Sequence, residues 1–269
     1  MKKKLIVSGD SFTSNDFRSA AHPEMDVSWP KWPELLAKEL NMECVNLARS
    51  GQGNDFVLGT LQDYILGIKD KSEIGLVIAA WSQCFRLDYQ EGNNWKAWIM
   101  QQLGGFGQFQ HHITTNEYNE FQMRGDIEGW VRKSLRMYMN FQIMCERYDI
   151  PYLQTQMIPL YIDYLKGLFV VDKKLDTPSH TLDIGKADES ILETIMEYDN
   201  LINHDNFLGW PISKKLGGFS LNLKAFKGYE KDDKEYMKCV ISDNDGHPNA
   251  LGNEILAKHF KEKYEKINS

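Results

Sequence analysis

Two short stretches at opposite ends of the chain carry residue types that together can perform acyl chemistry. Near the start, Leu5-Ile6-Val7 runs into Ser8-Gly9-Asp10-Ser11. Near the end, Asp243-Asn244-Asp245-Gly246-His247-Pro248-Asn249 gathers acids and an imidazole on one turn. A serine hydroxyl is a poor nucleophile at neutral pH. It needs a base within hydrogen-bond reach, and that base needs a group that fixes its tautomer. Of the seven histidines, His247 alone stands in a motif that supplies a neighbouring acid and a rigid proline. Asp245 keeps acid and imidazole on one tight turn and is the favoured orienter; Asp243 stays open. Serine early and the His/Asp pair late is compatible with a triad, which is defined by geometry rather than chain order.

These residues need elements to hold them. Leu5-Ile6-Val7 is too short for a helix and ends in small residues, so it reads as a buried strand emptying into a loop. In an open α/β sheet, chemistry gathers at the carboxyl ends of the strands. Further strands are expected at Met42–Ala48, Gly75–Trp81 and Tyr152–Pro159. Gly75–Trp81 is almost wholly apolar, as a central parallel strand should be. Helices are expected in the segment Trp29–Leu40, with Pro33 in the first turn, and at 56–68, 130–148, 188–202 and 250–263. The last should bury Leu251, Ile255, Leu256 and Phe260. This alternation predicts a doubly wound sheet. Residues 88–129 and 160–237 exceed what one crossover requires and read as two insertions in a single domain, 1–269. The run Asn206–Pro211 reads as a loop.

Hydrophobic residues make up 42% of the 269 positions, enough for a sizeable core. A net charge of -7 argues against nucleic acid or an anionic membrane as partner. Cys44, Cys84, Cys145 and Cys239 form no metal-ligand spacing and read as reduced thiols. No cofactor or metal is expected; His111 and His112, like His22, His180, His204 and His259, read as surface or structural residues. Trp95, Trp98, Phe106 and Phe109 either line a cleft or pack the first insertion. No signal peptide or membrane span is apparent, so a cytoplasmic protein is expected, with virion association open.

The Gly9-Asp10-Ser11 turn after the first strand, Asn46-Leu47-Ala48-Arg49-Ser50-Gly51, and His247-Pro248-Asn249 resemble three sequence blocks of the SGNH, or GDSL-type, hydrolases. The resemblance implies a flavodoxin-like three-layer α/β/α sandwich around a mainly parallel sheet. It implies Ser11 as nucleophile, His247 as base, Asp245 as orienter, and an oxyanion hole from the backbone N–H groups of Ser11 and Gly51. The family's third block, Gly-x-Asn-Asp, is replaced by Ala80-Trp81-Ser82-Gln83. By strand register Ser82 falls where that Asn completes the oxyanion hole. Asp10, Asn54 and Gln83 are candidate substrate contacts. The implied activity is ester hydrolysis or acyl transfer, and polar, aromatic insertions favour a carbohydrate ester over a long-chain lipid. Because the Asn is absent, a second reading stands: a weakly active or inactive SGNH-like binding or structural protein of a virion or polysaccharide. A nucleotide binder using Gly51-Gln52-Gly53 lacks Lys and Ser/Thr at phosphate-loop spacing.

Overall fold

The computed structural model describes residues 2–97, 125–160, 184–222 and 234–268. Along the chain, β1 (Lys4–Ser8) leads to α1 (Trp32–Glu39), β2 (Glu43–Asn46), α2 (Asn54–Gly67) and β3 (Ile74–Trp81). A hairpin follows, β4 (Asp88–Glu91) and β5 (Asn94–Ala97). Then come α3 (Ile127–Arg147), β6 (Tyr152–Gln156), α4 (Ile184–Glu197) and β7 (Phe207–Leu208). The chain closes with α5 (Lys234–Cys239), β8 (Val240–Ser242), β9 (Asp245–Pro248) and α6 (Ala250–Ile267).

Five strands pair in the order β2-β1-β3-β6-β7, all parallel. Strand order reverses beside β1, and such a switch point opens a crevice at the carboxyl ends of the flanking strands. All eight residues of β3 are buried, so both faces of the sheet are covered. Side chains alternate across the pleat. Leu5, Val7, Leu76, Ile78 and Ala80 pack with Trp32 and Leu36 of α1 and Leu256 and Phe260 of α6. Ile6, Val77, Ala79 and Trp81 pack with residues of α2, α3 and α4 on the other face. The result is the three-layer α/β/α sandwich that the family resemblance implies.

Several elements differ from expectation. Phe207–Leu208, read as loop, is the fifth strand of the main sheet, bonded to β6 through Gln154 and Thr155. Two residues are too few to show a period. Asp88–Ala97, read as irregular, forms a hairpin turning at Gly92-Asn93, where Gly92 has φ +58°. In α6, Leu251 is exposed, and the first turn buries Gly252 and Asn253 instead. Trp98, Phe106, Phe109, His111, His112 and His180 lie outside the described residues.

One buried side chain bolts α6 to α1. Asn253 Oδ1 accepts the N–H of Trp32 at 2.9 Å, while Nδ2 donates to the carbonyls of Pro248 and Asn249 at 3.2 and 2.9 Å. It thereby fixes the exit of the His247 turn. Asn253→Ala strands these buried groups and should cost about 2–3 kcal/mol in urea unfolding; a loss below about 0.5 kcal/mol, the scale of an ordinary surface change, would dismiss this role.

Candidate active site

Ser11 sits on a tight turn at the end of β1. The N–H groups of Thr13 and Ser14 both donate to the Asp10 carbonyl at 3.0 Å. A Cβ on Gly9 would lie 2.6 Å from Thr13 Oγ1, so the turn closes only around glycine. The Asp10 carboxylate points into the protein. Its Oδ1 accepts the N–H of Phe12 at 3.0 Å; its Oδ2 accepts Ser82 Oγ at 2.7 Å and Arg86 Nη1 at 3.3 Å. This ion pair is buried, with side-chain exposures of 2% for Arg86 and 0% for Asp10. Arg86 Nη1 also donates to the Gln52 carbonyl at 3.2 Å, and its Nε to Gln83 Oε1 at 3.0 Å. One guanidinium therefore ties together the turns that follow β1, β2 and β3.

The structure brings the two ends of the sequence together. Ser11 Oγ lies 2.8 Å from His247 Nε2, and His247 Nδ1 lies 2.5 Å from Asp245 Oδ1. An ionised Asp245 accepts the Nδ1 hydrogen, which leaves Nε2 as the acceptor for the Ser11 hydroxyl. Asp243 is exposed and makes no contact with the imidazole, so Asp245 is the carboxylate on the ring. Burial works to raise the Asp245 carboxyl. The hydrogen bond and charge of His247, with Ser19, outweigh it and hold the group at about 2. Ser19 Oγ donates to Asp245 Oδ2 at 2.5 Å. The imidazole stacks on Phe17 and meets Phe12 at a tilt, with ring centroids 4.3 and 4.5 Å away. These contacts leave the ring little freedom to turn away from Ser11. His22, expected at the surface, is half-buried and bonds Ser242 Oγ at 2.7 Å, bracing the same hairpin.

Among the described residues, the N–H groups of Ser11 and Gly51 donate to no protein acceptor. Gly51 has φ +80°, which a side chain would strain. The third turn is arranged differently from the register argument. Ser82 gives its hydroxyl hydrogen to Asp10, and its N–H donates to Asn54 Oδ1 at 2.7 Å. Asn54 Nδ2 in turn donates to the Ser82 carbonyl and Ser134 Oγ. Asp10, Asn54 and Ser82 are thus buried and used within the fold. Gln83 is 4% exposed, and Arg86 holds its Oε1, turning the Nε2 hydrogens away from that bond.

Sequence reasoning missed Ser19, Phe12, Phe17 and Arg86. Three of them lie near Ser11 in a stretch without periodicity, so pattern gave no signal. Arg86 follows Ser82-Gln83 closely, and a buried partner for Asp10 was the clue available.

No protein-family model matches the chain, and comparison with curated proteins finds no significant match. Solved structures similar to it include proteins named for the G-D-S-L family that the sequence resembles. A protein from Desulfitobacterium hafniense DCB-2, assigned to the G-D-S-L lipolytic family, is 12% identical over 97% of this chain and 99% of its own, with a TM-score of 0.46. A GDSL-like lipase from Bacteroides thetaiotaomicron is 13% identical over 98% of this chain and 89% of its own, with a TM-score of 0.42. A salicylyl-acyltransferase from a tetracycline biosynthetic pathway is 16% identical over the whole chain but 56% of its own length, with a TM-score of 0.44. Likenesses this distant leave function to the geometry of the site.

Two expectations follow from that geometry. Arg86→Met strands the Asp10 charge and should lower stability by about 3–5 kcal/mol in denaturant unfolding, with much of the loss recovered in the Asp10→Asn/Arg86→Met pair. A loss no smaller in the pair than in the single variant would contradict the pairing. Asp245 stands at about 2 against an ordinary 3.8. Between these values the unfolded chain binds more protons, so the stabilisation is complete above the unfolded value and drains as pH falls through the folded one. Asp245→Asn should flatten the rise of stability with pH over that interval in urea titrations; an unchanged slope would rule out the coupling.

Proposed function

We propose that this protein is a divergent SGNH-type serine hydrolase or acyl transferase acting on carbohydrate or other small-molecule esters. The observation that carries this reading is the hydrogen-bonded line from Ser11 Oγ through His247 to Asp245. As Ser11 Oγ attacks the ester carbonyl, His247 Nε2 takes its proton, and Asp245 stabilises the imidazolium that forms. The developing oxyanion lies between the N–H groups of Ser11 and Gly51. His247 then gives the proton to the leaving alkoxide. Water, or an acceptor hydroxyl, attacks the Ser11 ester with His247 again as base and releases the acyl group.

The third oxyanion donor is assigned to Gln83 Nε2 rather than to Ser82. The Ser82 hydroxyl hydrogen is committed to Asp10, and Arg86 leaves the Gln83 amide its nitrogen end to offer. A longer side chain fixed by a buried guanidinium stands in for the shorter Asn. This reading favours an active enzyme over the inactive alternative, because every element of the proton path is in hydrogen-bond contact.

Ser11→Ala should abolish hydrolysis of 4-nitrophenyl acetate and labelling by a fluorophosphonate probe. Asp245→Asn should lower kcat by roughly 10²–10⁴, and Gln83→Ala by about 10²–10³ with little change in KM. Labelling that persists without Ser11 or His247 would sink the nucleophile assignment, and a wild-type protein that neither labels nor turns over would return the inactive reading.

A further inference from the structure

The carboxylate behind the imidazole has two oxygens, and His247 uses one of them. Asp245 Oδ1 takes the His247 backbone N–H at 3.1 Å and the ring Nδ1 at 2.5 Å. Among the described residues, Oδ2 has a single donor, the hydroxyl of Ser19. The direction of that bond follows from what else Ser19 does. Its oxygen accepts the N–H of His22 at 3.0 Å. The hydroxyl hydrogen is therefore left for Asp245, which as an ionised carboxylate can only accept. Ser19 is 4% exposed and Asp245 7%, so water has little access with which to replace the hydroxyl. Without it, Oδ2 would be a buried, charged atom short of a donor, and the carboxyl would be held from one side alone.

The chain around Ser19 makes this brace firm. Ser19 lies on the loop that begins at Ser11. Three residues further on, the His22 ring bonds Ser242 Oγ of β8 at 2.7 Å. β8 pairs with β9, which carries Asp245 and His247. The loop is thus fastened to both strands of the hairpin, through Ser19 to β9 and through His22 to β8.

We infer that Ser19 is a fourth, positioning residue of the line Ser11–His247–Asp245, whose hydroxyl fixes the Asp245 carboxyl in the orientation that receives the Nδ1 hydrogen. This rests on the serine-ester reading and extends it. As His247 Nε2 takes the Ser11 proton, positive charge develops on the ring, and its stabilisation depends on where Asp245 Oδ1 stands. A carboxyl free to turn stabilises the imidazolium less. The contact therefore acts on the transition state and not on substrate binding.

Ser19→Ala should lower kcat for 4-nitrophenyl acetate about 10- to 100-fold with KM unchanged, the range of one hydrogen bond to a charged group. In an Asp245→Asn background the same change should cost less than about two-fold, because the charge that Ser19 orients is gone. No loss, a loss that falls on KM, or an equal loss in both backgrounds would overturn the inference. A second measurement stands apart from catalysis. Burial raises the Asp245 carboxyl, and the hydrogen bonds of His247 and Ser19 bring it down to about 2, against an ordinary 3.8. Stability is therefore lost as pH falls through this interval. Ser19→Ala moves the folded value towards the unfolded one, so the loss should be shallower than in the wild type in urea titrations. That result in a protein that cleaves no ester supports the brace on Asp245 while rejecting the hydrolase; a slope equal to the wild type's rejects the brace whatever the activity.

Discussion

The site depends on a buried ion pair that does no chemistry. Asp10 and Arg86 are both removed from water, which is costly unless each is fully matched. They are matched: Asp10 receives Phe12 N–H, Ser82 Oγ and Arg86, and Arg86 reaches Gln52 and Gln83 as well. The turns after β1, β2 and β3 come from distant parts of the chain, and the four cysteines are free, so no disulfide joins them. The guanidinium supplies a polar tie in place of a covalent one. Its planar fork suits this because several donors are held in one fixed geometry.

His247 reaches Ser11 by a separate route. His247 lies on the β8–β9 hairpin, outside the main sheet. Its placement is set from below by α6, whose N-cap Asn249 accepts the N–H of Gly252 at 3.0 Å, and by Asn253 bonded to α1. It is set from the side by Phe12, Phe17 and Ser19, all supplied by the loop after Ser11. The loop that carries Ser11 therefore also grips His247 and Asp245. Movement of that loop would disturb all three groups together, which keeps their alignment correlated.

The third turn is held by packing and by hydrogen bonds from its neighbours. Trp81 ends β3 fully buried, stacked on Tyr138 at 4.7 Å and donating to Gln154 Oε1 at 3.0 Å. Gln156 Nε2 ties the Ser82 carbonyl at 2.8 Å. The backbone is pinned here, and the Ser82 side chain is drawn to Asp10.

Much of the fold was written in local pattern. Apolar runs such as Ile74–Trp81 are strands because burial on both faces demands them, and the turns that follow lie at the sheet's carboxyl edge by topology. Where the pattern was short or absent, tertiary context decided: two residues of β7 join the sheet because Tyr152–Gln156 offers an unpaired edge. Leu251 faces water because Gly252, with Cys239 O only 2.1 Å from where a Cβ would lie, takes the close packing position in that turn.

By itself the sequence determined the residue types of the site and the turns that bear them, because Gly-Asp-Ser after a strand and Asp-Gly-His-Pro before a helix are local arrangements of backbone and side chain. Only the tertiary structure decided which acid meets the imidazole, that Ser82 is spent on Asp10, and that Arg86 and Ser19 belong to the site. Those outcomes depend on contacts between residues as far apart as Ser19 and Asp245, 226 positions along the chain, and distance in space is not encoded in any single window of sequence.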